Sequence, residues 1–184
     1  MENTKPKKAT LIIIDMQNDF ITGSLANPDA ERIVDPICEL IDQWKGNIIA
    51  TRDTHGYDYL KTAEGKKLPI EHCIGGTAGW CIEDRIMRAL NKTVHHIVDK
   101  RDTFALNWNV KSVSDDLPGD IYLVGTCTDI CVISNALVLK AMYSYKNIIV
   151  YEDLCAGTTP EMHKAAINVM KSCQIDIQTF GGAE

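Results

Sequence analysis

The sequence predicts a three-layer α-β-α domain built around a doubly wound, parallel sheet of six strands. Short apolar runs alternate with amphipathic segments along most of the chain, which is typical of a parallel sheet with helices on both faces. The run 9–14 is apolar at nearly every position, the pattern of a strand that is buried on both faces. A chain of 184 residues suits one domain with a sizeable core. We therefore expect a single domain over 1–184, with a flexible segment at 1–8.

Individual elements are predicted from periodicity and from start and stop residues. An apolar stripe from Ile33 to Trp44 predicts one helix over about 29–44. A capping threonine followed by Pro160 predicts the start of the last long helix. The segment 55–80 has little periodicity and many glycines and prolines, so we expect a long loop that carries function. The predicted strands are 9–14, 47–52, 93–99, 120–124, 147–151 and 175–179, and other helices are expected at 81–90, near 108–115 and at about 131–141.

The composition argues against several classes of function. The formal net charge of −6 provides no basic surface for a nucleic acid partner. No apolar run approaches the length of a membrane span, and residues 1–10 lack the apolar core of a signal peptide, so no membrane partner is expected. The seven cysteines are scattered and form no CxxC pair, which favours a reducing, cytoplasmic location over a disulfide framework.

Four of the predicted strands end in, or lead to, a polar or reactive side chain. These are Asp15, Asp53, Lys100 and, just beyond the fourth strand, Cys131. In a doubly wound sheet, ligands bind beyond the carboxyl ends of the strands, so these groups are expected to converge. Asp15 could take the thiol proton and later give it to a leaving amine, while Lys100 holds both groups in their charged forms. The alternative is a structural Asp–Lys ion pair beside an uninvolved cysteine.

Cys131 follows a strand and a tight glycine turn, and falls in the first turn of a helix. Unpaired N–H groups and the helix dipole at this position favour a thiolate, and the same N–H groups could hold an oxyanion. Thr128 or Asp129 could cap the helix. A free cysteine here could equally be a small buried apolar residue, and this segment by itself leaves the two interpretations open.

A second group of side chains follows the second predicted strand. Asp53 and His55 are two residues apart, and His72 comes later in the loop. One carboxylate and two imidazoles suit a catalytic divalent ion that keeps positions open for water. An Asp-x-His at a strand end is also common as a hydrogen-bonded turn, so the spacing alone does not decide between the two. His163, on the last helix, is expected to be a surface residue.

The chain also resembles a known family of enzymes. The stretches that carry the resemblance are 12–20 (IIIDMQNDF), 52–55 (RDTH), 71–79 (EHCIGGTAG), Lys100 and 125–132 (GTCTDICV). In this order and spacing they resemble the isochorismatase-like cysteine hydrolases, a family that includes the nicotinamidases. The resemblance extends from about residue 9 to the end of the chain. It implies the isochorismatase-like hydrolase fold, with three layers around six parallel strands.

The resemblance also implies roles for individual residues. Asp15, Lys100 and Cys131 would form the catalytic triad. The backbone N–H groups of Thr128 and Cys131 would form the oxyanion hole. The peptide bond between Cys127 and Thr128 would be cis.

In nicotinamidases, a metal ion that binds the pyridine nitrogen is held at the positions matching Asp53, His55 and His72. The resemblance therefore implies Zn, Mn or Fe at these residues and no organic cofactor. The third histidine of the nicotinamidases is replaced here by Tyr59, and a phenol is a poor substitute for imidazole at neutral pH. The stretch 68–70 also departs from the nicotinamidase pattern.

The expected substrate pocket contains several aromatic side chains close to the reactive cysteine. Phe20 would line it, and Trp80 or Phe104 could provide a stacking face. Each of these two could instead be an ordinary core residue. Tyr59 and Cys127 complete the expected pocket.

The predicted triad and the resemblance together favour a cysteine amidohydrolase that forms a thioester and releases ammonia from a small amide. Nicotinamide, converted to nicotinate, is the leading substrate, followed by ureido and carbamoyl compounds. A vinyl-ether hydrolase acting on isochorismate is disfavoured, because such relatives lack the nucleophilic cysteine. Alternatives from other classes are a redox protein that pairs Cys131 with Cys127, and a non-catalytic binding module. By resemblance, the protein is also expected to form homo-oligomers.

Overall fold

The computed structural model describes residues 9–108 and 117–181. Within these residues the centre of the molecule is a sheet of six parallel strands, as predicted. The strands are β1 (Thr10–Ile14), β2 (Asn47–Thr54), β3 (His95–Arg101), β4 (Ile121–Thr126), β5 (Ile148–Ala156) and β6 (Asp176–Gln178). Their order in the sheet is β3-β2-β1-β4-β5-β6. The winding therefore reverses between β1 and β4, as in a doubly wound sheet.

Within the described residues, helices lie in every connection between successive strands except that from β3 to β4. They are α1 (Asn18–Ile21), α2 (Pro28–Arg32), α3 (Val34–Gln43), α4 (Asp84–Leu90), α5 (Ile133–Met142) and α6 (Pro160–Ser172). A 3-10 turn lies at Tyr59–Lys61, and a π-helical turn at Thr128–Val132 leads directly into α5.

The helix predicted over 29–44 is in fact two helices, α2 and α3. Pro36 lies in the first turn of α3 and has no N–H to donate to the carbonyl of Arg32, four residues earlier. Helical hydrogen bonding therefore breaks at this point, and Ile33 separates the two helices. The helix expected near 108–115 falls almost entirely outside the described residues, as does the segment 1–8.

Two apolar clusters, one on each face of the sheet, join the sheet to the helices on either side and so form the three layers. Side chains of β1 alternate between them, since Leu11 and Ile13 belong to one cluster and Ile12 and Ile14 to the other. All four are essentially fully buried, as expected for a central strand with both faces covered. The first cluster is completed by α3 and α4 through Ile37, Ile41, Ile86 and Leu90, and the second by α5 and α6 through Ala136, Leu139, Ile167 and Met170.

The ends of β1 and β4 lie side by side where the winding reverses. Asp15 directly follows β1 with a φ of 48°, a left-handed conformation that aspartate tolerates better than most residues. Gly125, near the end of β4, has a φ of 121°, and a β-carbon there would overlap with the carbonyl oxygen of Ile14. Glycine at this position therefore allows the two strands to approach closely enough for the residues that follow them to meet.

The described residues include no helix with the length and apolar character needed to cross a bilayer. All seven cysteines are free thiols, as expected from their scattered positions in the sequence. Cytoplasmic location and homo-oligomeric assembly stay predictions from the sequence.

Candidate active site

The structure brings Asp15, Lys100 and Cys131 together at the carboxyl edge of the sheet. The Nζ atom of Lys100 lies 2.7 Å from Oδ2 of Asp15 and 3.6 Å from Sγ of Cys131. Lys100 lies inside β3, in register with Asp53 of β2, and not just past the end of the strand as predicted. Asp15 is fully buried, Lys100 and Cys131 are nearly so, and the three form one compact group.

Burial and charge set the protonation states of this group. Burial disfavours the charged ammonium of Lys100, but the carboxylate of Asp15, followed by the nearby side chains of Cys131 and Asp53, outweighs it and raises its pKa above the ordinary value. Burial raises the pKa of Asp15, and the ammonium of Lys100 opposes that rise. Burial, followed by the negative charge of Asp15, raises the pKa of the Cys131 thiol well above its usual value.

The resting cysteine is therefore a thiol, in contrast to the thiolate expected from its place at the start of a helix. The desolvation of a fully enclosed sulfur outweighs the favourable charge of Lys100. Activation of Cys131 consequently requires a base within reach, and Asp15, which lies on the same Lys100 ammonium as the thiol, is in the position to act as one.

Thr51 of β2 holds the Asp15 carboxylate. Its hydroxyl donates to Oδ1 of Asp15 at 2.6 Å and accepts from the Asp15 N–H at 3.3 Å. This hydrogen bond favours the ionised carboxylate and partly offsets the effect of burial on the pKa of Asp15. Sequence reasoning missed Thr51, because a threonine in a strand is ordinary and only its register with Asp15 gives it a role.

Replacing Thr51 with valine is expected to move the acid limb of the pH–rate profile to higher pH. The pKa of Asp15 is already raised by burial, and loss of the hydroxyl raises it further, so the base is protonated at a higher pH than in the wild type. The profile of kcat/KM against pH measures this shift. Thr10→Val is the matched control, since Thr10 is a fully buried threonine at the opposite end of β1. An unmoved acid limb in the Thr51 variant would contradict the assignment of Asp15 as the base.

Asp53, His55 and His72 form a cluster beside the triad. The donor atoms of these three buried residues lie within 4.8 Å of one another. Nδ1 of His55 lies 3.1 Å from Oδ1 of Asp102, and Nδ1 of His72 lies 2.9 Å from the carbonyl oxygen of Ile70. With each Nδ1 occupied, the two Nε2 atoms face Oδ2 of Asp53 at 3.1 and 3.6 Å.

This donor set fits a divalent ion such as Zn, Mn or Fe. Two imidazole Nε2 atoms and a carboxylate oxygen converge on one point, and the opposite ring nitrogens are held by outer hydrogen bonds that orient them. Burial acts to raise the pKa of Asp53, but the adjacent imidazoles of His55 and His72 and the ammonium of Lys100 outweigh it and lower the pKa below the usual range. Asp53 is therefore an ionised ligand, and its other oxygen, Oδ1, lies 3.7 Å from Nζ of Lys100. It joins the donor cluster to the triad.

Two further residues support this cluster and were not predicted. Oε1 of Glu64 lies 3.9 and 3.8 Å from Nε2 of His55 and His72, so a fourth oxygen faces the same point. The side-chain amide of Gln17 donates to the carbonyl oxygen of Asp53 at 2.9 Å and accepts from its N–H at 2.6 Å. Gln17 falls inside the stretch IIIDMQNDF and so had a sequence signal, whereas nothing in the spacing of the long loop singled out Glu64.

Replacing Asp102 with asparagine is expected to weaken binding of a divalent ion by about tenfold. The Asp102 carboxylate accepts from Nδ1 of His55, which fixes the tautomer that leaves Nε2 free to bind a metal. An amide can present its NH₂ group to the same nitrogen and favour the opposite tautomer. Competition with a chromogenic zinc chelator measures the affinity directly. Asp99→Asn, a carboxylate of β3 paired with Arg52, is the control, and equal effects of both changes would count against this role of Asp102.

A cavity of about 490 Å³ opens above the triad and the donor cluster. Its floor contains the nucleophile candidate Cys131 and, of the donor cluster, Asp53, His72 and Glu64. Three of the five predicted pocket residues line it, since Phe20, Phe104 and Cys127 all face the cavity. The remaining wall is mostly apolar and includes Leu25, Ala26, Pro28, Leu68 and Ile130. A small, largely apolar molecule with a few polar atoms fits such a space.

Tyr59 and Trp80, predicted as pocket residues, do not line this cavity. The ring of Tyr59 is fully buried behind the histidines, 4.7 Å from His55 and 5.0 Å from His72 between ring centroids. Its hydroxyl donates to the carbonyl oxygen of Leu68 at 2.9 Å, so it packs the cluster without supplying a ligand. The Trp80 ring stacks under the guanidinium of Arg52, and its Nε1–H donates to Thr54.

The π-helical turn 128–132, called the nucleophile turn below because it contains Cys131, differs from the prediction at two points. The cis peptide bond joins Thr126 and Cys127, one residue earlier than expected, at the point where the chain leaves β4. Neither Thr128 nor Asp129 caps the helix. Asp129 instead accepts from the N–H and hydroxyl of Thr158.

His163 is also placed differently from its predicted surface position. It is partly buried, and its Nδ1 lies 2.8 Å from Oγ1 of Thr128. Thr128 is fully buried and absent from the cavity lining, whereas Cys127 lies at the cavity wall. The side chain of Thr128 is therefore directed to α6 and not to the space where a substrate would bind.

Comparisons with known proteins agree with this architecture. The isochorismatase domain family matches residues 9–180. A nicotinamidase of Saccharomyces cerevisiae is 28% identical over 187 residues, covering 78% of this chain and 86% of its own length. A nicotinamidase/pyrazinamidase of Mycobacterium tuberculosis is 28% identical over 194 residues, covering 91% of this chain and 96% of its own length.

Solved structures show the same fold. A nicotinamidase/pyrazinamidase of Bacillus subtilis superposes with a TM-score of 0.80 at 24% identity, covering 92% of this chain and 98% of its own. A pyrazinamidase of Pyrococcus horikoshii in complex with zinc superposes with a TM-score of 0.76 at 25% identity, covering 94% of this chain and 99% of its own. Since the family match spans nearly the whole chain, the protein belongs to the isochorismatase family and has the isochorismatase-like hydrolase fold.

Proposed function

We propose that this protein is a nicotinamidase, a cysteine amidohydrolase that converts nicotinamide to nicotinate and ammonia through a thioester. Its family and its nicotinamidase relatives support the general class, a hydrolase that acts on amide C–N bonds. The observation that carries the finer proposal is the contact of a buried thiol with a buried Lys–Asp pair. This group lies at the floor of a mostly apolar cavity, next to a donor cluster suited to a divalent ion.

The chemistry begins with the thiol of Cys131. Asp15 takes the thiol proton, and the sulfur attacks the amide carbon to give a tetrahedral oxyanion. Lys100 remains charged and stabilises the negative charge that moves between the sulfur and the carboxylate. Asp15 then gives its proton to the departing nitrogen, and ammonia leaves a thioester on Cys131. Water, deprotonated by Asp15, hydrolyses the thioester and restores the free thiol.

The oxyanion is proposed to bind to backbone N–H groups of the nucleophile turn. Thr128 and Cys131 are the donors implied by the family resemblance. The N–H of Cys127 is an additional candidate, because Cys127 reaches the cavity wall and Thr128 does not. Donors of this kind are held by the fold and need no rearrangement during the reaction.

The donor cluster is proposed to position the substrate. Asp53, His55, His72 and, by its placement, Glu64 would hold a divalent ion. When bound there, such an ion supplies a Lewis acid for an electron pair of the substrate, as a pyridine nitrogen has. The apolar wall, which includes Phe20 and Phe104, would contact a small aromatic ring. Glu64 could also replace the third histidine ligand of the nicotinamidases, whose position is occupied here by Tyr59. Its carboxylate oxygen faces the cluster, whereas the Tyr59 hydroxyl is bonded to Leu68.

Ammonia release from nicotinamide and from benzamide tests the proposal. Benzamide has the same shape but no ring nitrogen, so the protein supplied with Zn, Mn or Fe is expected to prefer nicotinamide by at least about tenfold in kcat/KM. Absence of ammonia from nicotinamide with every metal, while an alkylating reagent still modifies Cys131, would reject nicotinamide. Ureido and carbamoyl compounds would then be the substrates to assay at the same triad.

A further inference from the structure

The hydrogen bond between Thr128 and His163 connects the nucleophile turn to α6, the helix that packs against it. Oγ1 of Thr128 and Nδ1 of His163 are 2.8 Å apart. Thr128 is fully buried and lies three residues before Cys131, within the same turn. His163 lies in the first turns of α6. The mechanism described above gives no role to this histidine.

A second bridge between the same two segments lies next to the first. The Asp129 carboxylate accepts from the N–H of Thr158 at 2.8 Å and from its hydroxyl at 2.6 Å. Thr158 precedes α6 and lines the active-site cavity. Gly157, the residue before Thr158, packs directly against His163. A β-carbon on this glycine would lie only 2.7 to 2.8 Å from atoms of the histidine. His163 in α6 and Thr158 just before it therefore hold two consecutive residues of the nucleophile turn, Thr128 and Asp129.

We propose that His163 is a positioning residue, which fixes the nucleophile turn so that its backbone N–H groups face the carbonyl oxygen of the substrate. This inference rests on the proposed amide hydrolysis, because an oxyanion forms in that reaction. His163 acts through Thr128 and does not touch the reacting atoms. Its effect is on the geometry of the oxyanion hole and not on the reactivity of the sulfur.

The surroundings of His163 favour a neutral ring. Burial lowers the pKa of His163, and the negative charges of Glu152 and Asp129 only partly oppose this. A neutral imidazole has one donor and one acceptor nitrogen, so its Nδ1 can pair with a hydroxyl in either direction. His163 also lines a second cavity of about 370 Å³. The charged residues and the thiol that share this lining come from α2 and β5, and they are Asp29, Arg32, Glu152, Asp153 and Cys155.

Two reactions of Cys131 distinguish a positioning role of His163 from a general loss of structure at the site. Amide hydrolysis develops an oxyanion and needs the N–H groups in place. Alkylation by iodoacetamide forms a carbon–sulfur bond with loss of iodide and of the thiol proton to solvent, and develops no oxyanion. His163→Leu is therefore expected to lower kcat for the amide by about 10- to 100-fold, because small misplacement of catalytic groups has effects of that size. KM and the rate of alkylation of Cys131 are expected to change little.

Matched variants show whether the hydrogen bond itself is responsible. His163→Asn places an amide where Nδ1 was and is expected to keep most of kcat, whereas His163→Gln places it one bond further and is not. Thr128→Val is expected to reproduce the loss, and the double variant Thr128→Val/His163→Leu is expected to lose no more than either alone. Met162→Ala, at the exposed neighbour of His163, controls for disturbance of α6.

The outcomes distinguish this inference from the proposed function. A wild-type protein that releases ammonia, together with an unchanged kcat in His163→Leu, overturns the positioning role alone. Equal losses of hydrolysis and alkylation also overturn it, because they indicate that the whole site has collapsed. A wild-type protein that releases ammonia from no amide overturns the proposed function, and the positioning role with it.

Discussion

Replacing Cys131 with alanine is expected to lower kcat for amide hydrolysis by about 10⁵-fold or more, since removal of a covalent nucleophile leaves only binding and electrostatic effects. Cys131 is the thiol in contact with Lys100, whose ammonium also pairs with Asp15. Of the two thiols that line the cavity, Cys131 is the one that lies against Lys100. Initial rates of ammonia release measure the loss, and circular dichroism checks that the variant is folded.

Cys127→Ala is the matched control for this prediction. Cys127 lines the same cavity, and burial raises the pKa of its thiol to about 11. Its thiol is therefore protonated at neutral pH, and the Lys100–Asp15 pair that would activate a buried thiol lies against Cys131. Its replacement is expected to change kcat by less than about tenfold, because it removes packing at the cavity wall and no reacting atom. A redox protein that cycles through a Cys127–Cys131 disulfide requires both thiols equally. Equal and complete loss of function in the two variants, with a reducible disulfide in the wild type, would therefore favour the redox alternative over hydrolysis.

Trapping the intermediate extends this test to the mechanism. Rapid acid quenching of the wild-type protein during turnover is expected to show an acyl adduct on Cys131 by mass spectrometry. The thioester accumulates if its hydrolysis is slower than its formation, and thioesters survive in acid long enough to be detected. An adduct on a different residue would contradict the assignment of the nucleophile.

The sheet and the triad could be predicted because each depends on local sequence. Apolar runs such as 9–14 and 120–124 specify buried strands wherever they occur, and parallel strands must present their carboxyl ends at one edge. Asp15 and Cys131 were therefore expected at the same edge, and the strand order of the structure, which places β1 beside β4, brings them together. Lys100 needed only a correction of position, from just after β3 to within it.

Side chains whose roles depend on the path of a loop were not predictable in the same way. Glu64 reaches the histidines only because the segment 55–80 folds back over the sheet, and its spacing from His55 has no period. Tyr59 was expected to face the substrate but turns its hydroxyl to Leu68 instead. The direction of a side chain in an irregular loop depends on contacts from distant parts of the chain, such as the bond of Gln17 to Asp53, and a single sequence does not specify them.

Electrostatic consequences of burial were also beyond the sequence. The start of a helix favours a thiolate in general, yet at Cys131 the enclosure of the sulfur outweighs it. The degree of enclosure is a property of the assembled core, to which α5, α6 and the cavity wall all contribute. The reversal has a mechanistic meaning, because a resting thiol makes Asp15 an obligatory base.

The same balance of burial and charge predicts the largest effect on stability. Replacing Lys100 with methionine is expected to lower the free energy of unfolding by about 3–5 kcal/mol at neutral pH. Methionine fills a similar volume but removes the cation that lies 2.7 Å from Asp15 and 3.7 Å from Asp53. Two buried carboxylates are then left without a compensating positive charge. Urea unfolding measures the change, and kcat is expected to fall by about 10³-fold or more, because the charge that stabilises the thiolate and carboxylate is gone.

Two further variants keep this prediction testable if Lys100→Met does not fold. Lys92→Met removes a lysine from an exposed pair with Asp42 and is expected to change the stability by less than about 1 kcal/mol. Lys100→Arg keeps the charge but not the shape, so it is expected to fold and to have reduced kcat, since a planar guanidinium cannot occupy the place of a compact ammonium. A stable Lys100→Met with wild-type kcat would show that Lys100 has neither role.

The dependence of the loss on pH identifies its cause. In the wild type, the Lys100 ammonium opposes the rise in the pKa of Asp15 caused by burial, so in Lys100→Met that pKa rises further. The folded variant then holds a proton that the unfolded chain releases above the ordinary carboxyl pKa of 3.8. Because the folded state binds more protons, the stability of the variant falls as pH increases from that value through the raised pKa of Asp15. The deficit relative to the wild type is therefore expected to be smallest in acid and to grow toward neutral pH. A deficit that is the same at every pH would assign the loss to packing around the methionine and not to the unpaired carboxylates.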